Sequence, residues 1–242
     1  MVGKQLTSIH VLSGRYTKKS IENLSKPVGE EVVEIDVKGK LIVIYFRNCA
    51  ILSTAGMSGE WVVEPVERKF KRIELKVKDS EGAESTFVFA DQRNFGTFKV
   101  VKLSEADAKL MELGPDIMNG DEAPPTFFQR VKRFGGCQTL AEGIMDQRIA
   151  AGVGNYIRAE AMYIADEHPF QPITSLPEER LAKVWKAAHQ VAHEAFRLQH
   201  EYRDLCYRRE RTDEGYAVSS ASDRNGRTVW YVSEHSRPWR KL

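Results

Sequence analysis

The chain has 242 residues, enough for one large or two small domains with a sizeable core. With 42% hydrophobic and 29% charged residues its composition is that of an ordinary soluble globular protein, not of a collagenous, low-complexity or disordered one. A net charge of +2 selects no partner, although the stretch 197–241 concentrates Arg203, Arg208, Arg209, Arg211, Arg224, Arg227, Arg237 and Arg240.

Such a run can neutralise phosphates or simply form a solvated face. Cys49, Cys137 and Cys206 lie far apart with no Cys-x-x-Cys, so neither a zinc knuckle nor a disulfide framework is readable. No signal peptide is expected, and no apolar run is long enough to span a bilayer. The expected setting is cytoplasmic, or a nucleoid or nucleus where the protein associates with DNA.

Taken in order, residues 3–13 alternate in the manner of a half-buried strand. Residues 32–37, 40–46 and 50–54 read as further strands, broken at Gly39 and at Arg47-Asn48. Residues 60–63, 72–78 and 85–90 continue the series, with Asp79-Ser80-Glu81-Gly82 as a hairpin turn, and 95–103 closes it. Many short strands with turn signals between them predict a β-sandwich or barrel. Ser104-Glu105-Ala106-Asp107 then opens a short helix that ends near Leu113-Gly114-Pro115.

The polar, proline-containing run 114–125 reads as a linker between a β domain at 1–113 and a second domain at 126–242. There the pattern turns helical, with short helices at 126–134, 139–145 and 155–165. A long helix at 176–202 places Leu181, Val184, Ala188, Val191 and Ala195 on one face. Residues 218–232 read as a terminal hairpin turning at Asp223-Arg224-Asn225-Gly226.

The stretch with the most chemical content is Met145-Asp146-Gln147-Arg148-Ile149-Ala150-Ala151-Gly152-Val153-Gly154-Asn155. Its glycines lead into Asn155, which reads as the N-cap of a helix. Bare N–H groups and the positive dipole end there make a ready phosphate site. The spacing alone describes plain capping equally well, and the strand and Gly-Lys-Ser/Thr of a nucleotide P-loop are missing.

Several motifs in order add to this stretch: Gly56-Met57-Ser58-Gly59, Asp91-Gln92-Arg93-Asn94-Phe95-Gly96, Leu113-Gly114-Pro115, Glu160, His168-Pro169 and Gly226-Arg227-Thr228-Val229-Trp230-Tyr231. Together they resemble the bacterial formamidopyrimidine-DNA glycosylase/endonuclease VIII family of base-excision repair enzymes, over nearly the whole chain. The resemblance implies an α+β fold. An N-terminal β-sandwich would precede a helix–two-turn–helix domain with a small C-terminal β-hairpin finger at about 216–242, and double-stranded DNA would lie in the cleft between. It also implies that Gly154 and Asn155 grip phosphates flanking an everted nucleotide, with Arg227 reaching a phosphate from the finger. Met57, Arg93 and Phe95 take the places of the family's void-filling residues. A wedge offsets unstacking, and an arginine hydrogen-bonds the orphaned base. Lys40 takes the place of a lysine that approaches the phosphate and the active-site sugar.

Departures from the family pattern bear on chemistry. Family members act through an N-terminal Pro-Glu, in which the proline amine attacks the sugar C1′ and the glutamate handles protons. This chain begins Met1-Val2-Gly3-Lys4 where the family's first strand starts, so the first helix and its Pro-Glu are expected to be absent. A helix of roughly a dozen residues spans about 18 Å, which would put the Met1 α-amine far from that site. Thr54 and Ala55 stand where the family usually has His and Leu, Ala141 where it commonly has Lys, and Asn94 where a second basic residue is frequent. The finger has Val232 and His235 in place of a Cys-x-x-Cys, and no earlier cysteine pair. No metal or other cofactor is therefore expected, and the finger resembles the family's zincless variants, held by packing of Val229, Trp230 and Tyr231.

The favoured reading is a monomeric DNA-binding protein that recognises damaged or abasic DNA with an everted nucleotide, without the usual proline nucleophile. The alternative is an active DNA glycosylase/AP lyase using a substitute amine such as Lys40. A third is a structural relative with no DNA affinity.

Overall fold

Alternating apolar residues fold the first hundred positions into two antiparallel sheets. In the computed structural model, which describes residues 1–18, 20–65, 67–198 and 201–233, these are β1 (Gln5–Val11), β2 (Glu34–Lys38), β3 (Leu41–Tyr45), β4 (Ala50–Thr54), β5 (Gly59–Val63), β6 (Lys71–Lys78), β7 (Glu84–Asp91) and β8 (Thr97–Val101). One sheet runs β1-β6-β7-β5 and the other β2-β3-β4-β8. Leu6, Ile73, Leu75 and Phe89 from the first meet Ile44, Ile51, Phe98 and Val100 from the second in one core. Each such burial contributes about 1.5–3 kcal/mol. This is the sandwich the strand spacing predicts. The expected turn at Asp79 is present, with its carboxylate accepting the Glu81 and Ala83 N–H groups at 3.2 and 2.8 Å. Helix α1 (Leu103–Glu112) follows, tied to the second sheet by the Tyr45 hydroxyl, which donates to Asp107 at 3.0 Å.

The chain divides into two compact units, Met1–Met111 and Glu112–Leu242. The second holds α2 (Pro125–Phe134), α3 (Leu140–Gly143), α4 (Asn155–Ile164), α5 (Glu178–Leu198) and the hairpin β9 (Val218–Ser222) and β10 (Thr228–Val232). Its core gathers Phe127, Leu140, Ile149, Trp185, Val191 and Val229.

The run 114–125 is not a linker. Ile117 is buried in the helical core and its N–H donates to Ala151, while Gly114 N–H donates to Gln147. The Trp185 indole N–H donates to the Gly120 carbonyl at 3.1 Å, and His189 contacts the Ile117 carbonyl at 2.9 Å. Proline and glycine mark turns in packed loops as readily as in linkers; the apolar Ile117 anchors this one.

Hairpin packing follows the expectation for Val229, Trp230 and Tyr231. Val229 is fully buried, Trp230 meets Tyr207 edge-on, and Tyr231 lies perpendicular to Phe170 with centroids 5.5 Å apart. His235, Arg237 and Arg240 lie outside the described residues. Among the described residues no helix is long and apolar enough to cross a membrane.

Candidate nucleic-acid interface

Strand register places four of the expected residues at one end of the sandwich. Leu41 pairs with Thr54 and Thr54 with Thr97. The β2–β3 turn carrying Lys40, the β4–β5 loop carrying Met57 and the β7–β8 loop carrying Arg93 and Phe95 therefore share that end. The two loops meet backbone to backbone. Gly56 has φ +66°, and a Cβ there would lie 2.8 Å from the Gly96 nitrogen; a Cβ on Gly96 would lie 2.4 Å from the Phe89 ring. Only glycine allows this approach.

Buried Asp91 fastens the loops together. Its carboxylate accepts the Ser58 hydroxyl at 2.6 Å and the Gly96 N–H at 2.7 Å, and the Ser58 oxygen in turn accepts the Arg93 N–H at 2.9 Å. Burial pushes the Asp91 carboxyl up, but the bonds from Ser58, Gly96, Asn94 and Arg93 outweigh it and hold the group below its ordinary value. With the loop backbones locked, the side chains between them point outward. Met57 is 67% and Phe95 59% exposed, and the Arg93 guanidinium lies 3.7 Å from the Met57 sulfur. Two large apolar side chains held in water beside an arginine have the makings of a wedge. Lys40 is exposed at the same end.

In the helical unit, α4 starts one residue earlier than the sequence suggests. Gly154, extended at φ −119° and ψ −178°, is the N-cap; Asn155 is the first helical residue, and no side chain caps the helix. The reason is that the Asn155 side chain is already engaged. Its Nδ2 donates to the Thr228 carbonyl at 3.1 Å and its Oδ1 accepts from Arg158. The N–H groups of Asn155 and Tyr156 have no hydrogen-bond acceptor among the described residues, and the first turn holds no acid. A positive, unsatisfied helix end results. Gln147 shapes the approach, donating to the Met145 and Val153 carbonyls at 3.0 Å and accepting the Gly152 N–H at 3.0 Å.

The hairpin tip is bound to this helix pair by two ion pairs. Asp223 Oδ1 accepts the Asn225 and Arg227 N–H groups, both at 2.9 Å, and its Oδ2 takes the Arg158 guanidinium at 2.9 Å. Glu142 completes a capping box with Thr139 on α3 and also receives Arg224, with Nη2 at 2.6 Å and the backbone N–H at 3.0 Å. The Arg224 side chain, ahead of a smaller opposing burial effect, brings the Glu142 carboxyl down to about 2. A cleft of about 460 Å³ opens beside the tip, lined by Met145, Asp146 and Arg148 from the segment between α3 and α4 and by Arg224, Asn225 and Arg227. The exposed Arg227 guanidinium makes no hydrogen bond or ion pair among the described residues.

Sequence reasoning missed Arg158 and Glu142 as parts of this arrangement, and took Asp223 and Arg224 only as hairpin-turn residues, Arg224 also as one of a basic run. The Thr139-x-x-Glu142 capping box was the one local signal. Among the described residues no cluster of His, Cys, Asp or Glu is arranged to hold a metal ion.

Two family models match the chain: the formamidopyrimidine-DNA glycosylase N-terminal domain over residues 1–98 and the formamidopyrimidine-DNA glycosylase H2TH domain over residues 113–204. Formamidopyrimidine-DNA glycosylase of Thermus thermophilus is 30% identical over 179 residues, 73% of this chain and 64% of that protein. The Listeria innocua protein of the same name is 28% identical over 174 residues, 71% of this chain and 62% of its own length. The matched segment thus spans just under two thirds of these curated relatives. In fold, the chain is similar to Lactococcus lactis Fpg solved in complex with abasic-site DNA, with a TM-score of 0.77 over 98% of this chain and 94% of that one at 17% identity. The same protein solved with Fapy-dG DNA gives a TM-score of 0.77 at 16% identity. The glycine-locked loops and the segment leading into α4 fall within the two domain models, which are matched in order, and the chain belongs to the formamidopyrimidine-DNA glycosylase/endonuclease VIII family.

Proposed function

We propose that the protein binds double-stranded DNA at damaged or abasic positions, in a compartment that holds DNA, with the nucleotide at that position everted from the stack. The observation that carries this reading is the α4 N-terminus, where unsatisfied N–H groups, the Asn155 amide and the Arg227 guanidinium are joined through Thr228. These are donors without carboxylates of their own, suited to backbone phosphates. Met57, Arg93 and Phe95 supply what an everted nucleotide leaves wanting, an apolar filler and a hydrogen-bond donor for the orphaned base.

The test is a gel shift with a duplex carrying a stable abasic-site analogue beside the intact duplex, at several salt concentrations. Tighter binding to the analogue, falling steeply with salt, is expected; equal mobility of both duplexes at low salt would overturn the reading. Borohydride treatment on abasic DNA separates recognition from lyase chemistry. Recognition without lyase chemistry predicts no Lys40-dependent adduct. An adduct that vanishes in Lys40→Ala would assign lyase chemistry to that amine.

A further inference from the structure

The ion pair between Arg158 and Asp223 is fully buried, 0% and 2% exposed at the side chains, and presents no surface of its own. It nevertheless touches both groups of the proposed phosphate grip. Arg158 Nη2 donates to the Asn155 Oδ1 and to the Thr228 carbonyl at 3.0 Å, and Nη1 donates to Asp223 at 2.9 Å and to the Ala141 carbonyl at 3.3 Å. With Oδ1 taken by Arg158 and one Nδ2 hydrogen by Thr228, the Asn155 amide has one orientation and one N–H left to donate. On the other side, Asp223 fixes the turn through the Asn225 and Arg227 N–H groups.

Burying such a pair is a poor way to gain stability, since well-packed apolar replacements are often as stable. What the planar guanidinium supplies is geometry, several donors at fixed angles. We propose that Arg158, with Asp223, is a positioning residue. It holds the Asn155 amide and the Arg227-bearing turn at the one spacing that engages backbone phosphates together. This rests on the DNA-binding reading above.

Binding to a duplex with an abasic-site analogue, measured across salt, tests it with Arg158→Met, Arg158→Lys, the paired Arg158→Met/Asp223→Leu, Asn155→Ala, Arg227→Ala and Arg158→Met/Asn155→Ala. Each single Ala variant should weaken binding about tenfold, the scale of one charge-assisted hydrogen bond. Arg158→Met and the paired variant should weaken it to a similar degree, and lower the salt slope by about one phosphate contact. The paired variant, whose apolar residues replace the ion pair, should melt close to the parent. Lysine, a point charge without the fork, should not restore affinity. Because Arg158 acts through Asn155, the combined variant should bind no more weakly than Arg158→Met. Additive losses, or parental affinity in a folded paired variant while Asn155→Ala and Arg227→Ala are weakened, would overturn the positioning role alone. Parental affinity in Asn155→Ala and Arg227→Ala would remove the phosphate grip itself and the proposal with it.

Discussion

Asn155 and Glu142 show how much one side chain is asked to do in the helical unit. Asn155 spends its carbonyl oxygen and one amide hydrogen on Arg158 and Thr228, so its substitution removes an outward donor and loosens the turn behind it. Asn155→Ala should weaken binding to abasic duplex by about 1–3 kcal/mol; unchanged affinity would return the stretch to ordinary helix capping. Glu142 carries a pH dependence with a defined sign. Its folded value, about 2, lies below the ordinary glutamate value of 4.5, so its contribution is present above about 4.5 and is lost as pH falls toward 2. Arg224 is largely exposed and solvent screens the pair, which keeps the contribution small. Thermal melts from pH 6 down to 2 should show the parent losing stability across that window and Glu142→Gln losing less. Parallel curves would mean the pair is not linked to folding.

At the scale of elements, what could be read from the chain alone was what repeats locally. Period-two alternation located the strands, and the 3.6-residue pattern located α5 within a few residues of its ends. The loops of Met57, Arg93 and Phe95 were marked by their glycines. What could not be read depends on partners far apart in sequence. Arg158 and Asp223 are separated by 65 residues, and Glu142 and Arg224 by 82; neither leaves a periodic trace. In a helix of mixed composition a buried arginine looks like a surface one. The N-cap shift from Asn155 to Gly154 has the same cause, since the side chain free to cap in an isolated helix is here bound across to β10. The hairpin illustrates the dependence energetically. A two-stranded hairpin is marginal by itself, and this one is held by Val229 in the helical core and Val232 beside Ala159 and Cys206. Val229→Ala should cost about 1–3 kcal/mol, read as a lower melting temperature, with a further loss of DNA affinity as the Arg227 turn loosens. A stable variant with parental DNA binding would show that the ion pairs alone hold the tip.

At the scale of the whole molecule, the two cores share no residue: one draws on positions 6–100 and the other on 117–229. Each unit has a size at which an independent core is common. The proposed roles divide along the same line. Donors suited to phosphates belong to the unit Glu112–Leu242, whereas the void-filling side chains belong to Met1–Met111. Phosphates are the same in damaged and intact DNA, so a surface that grips them has affinity without discrimination. The proposed preference for an abasic position would come from groups that fill or pair with what is missing. Residues 112–242 expressed alone should therefore unfold cooperatively and bind duplex DNA in a salt-dependent manner, with little distinction between abasic and intact sites. The full chain should show that distinction, and lose most of it in Met57→Ala/Phe95→Ala while keeping its salt slope. Discrimination by the helical fragment alone would move lesion recognition out of the sandwich loops and into the segment after α5, where Arg203, Arg208 and Arg209 line a second cleft.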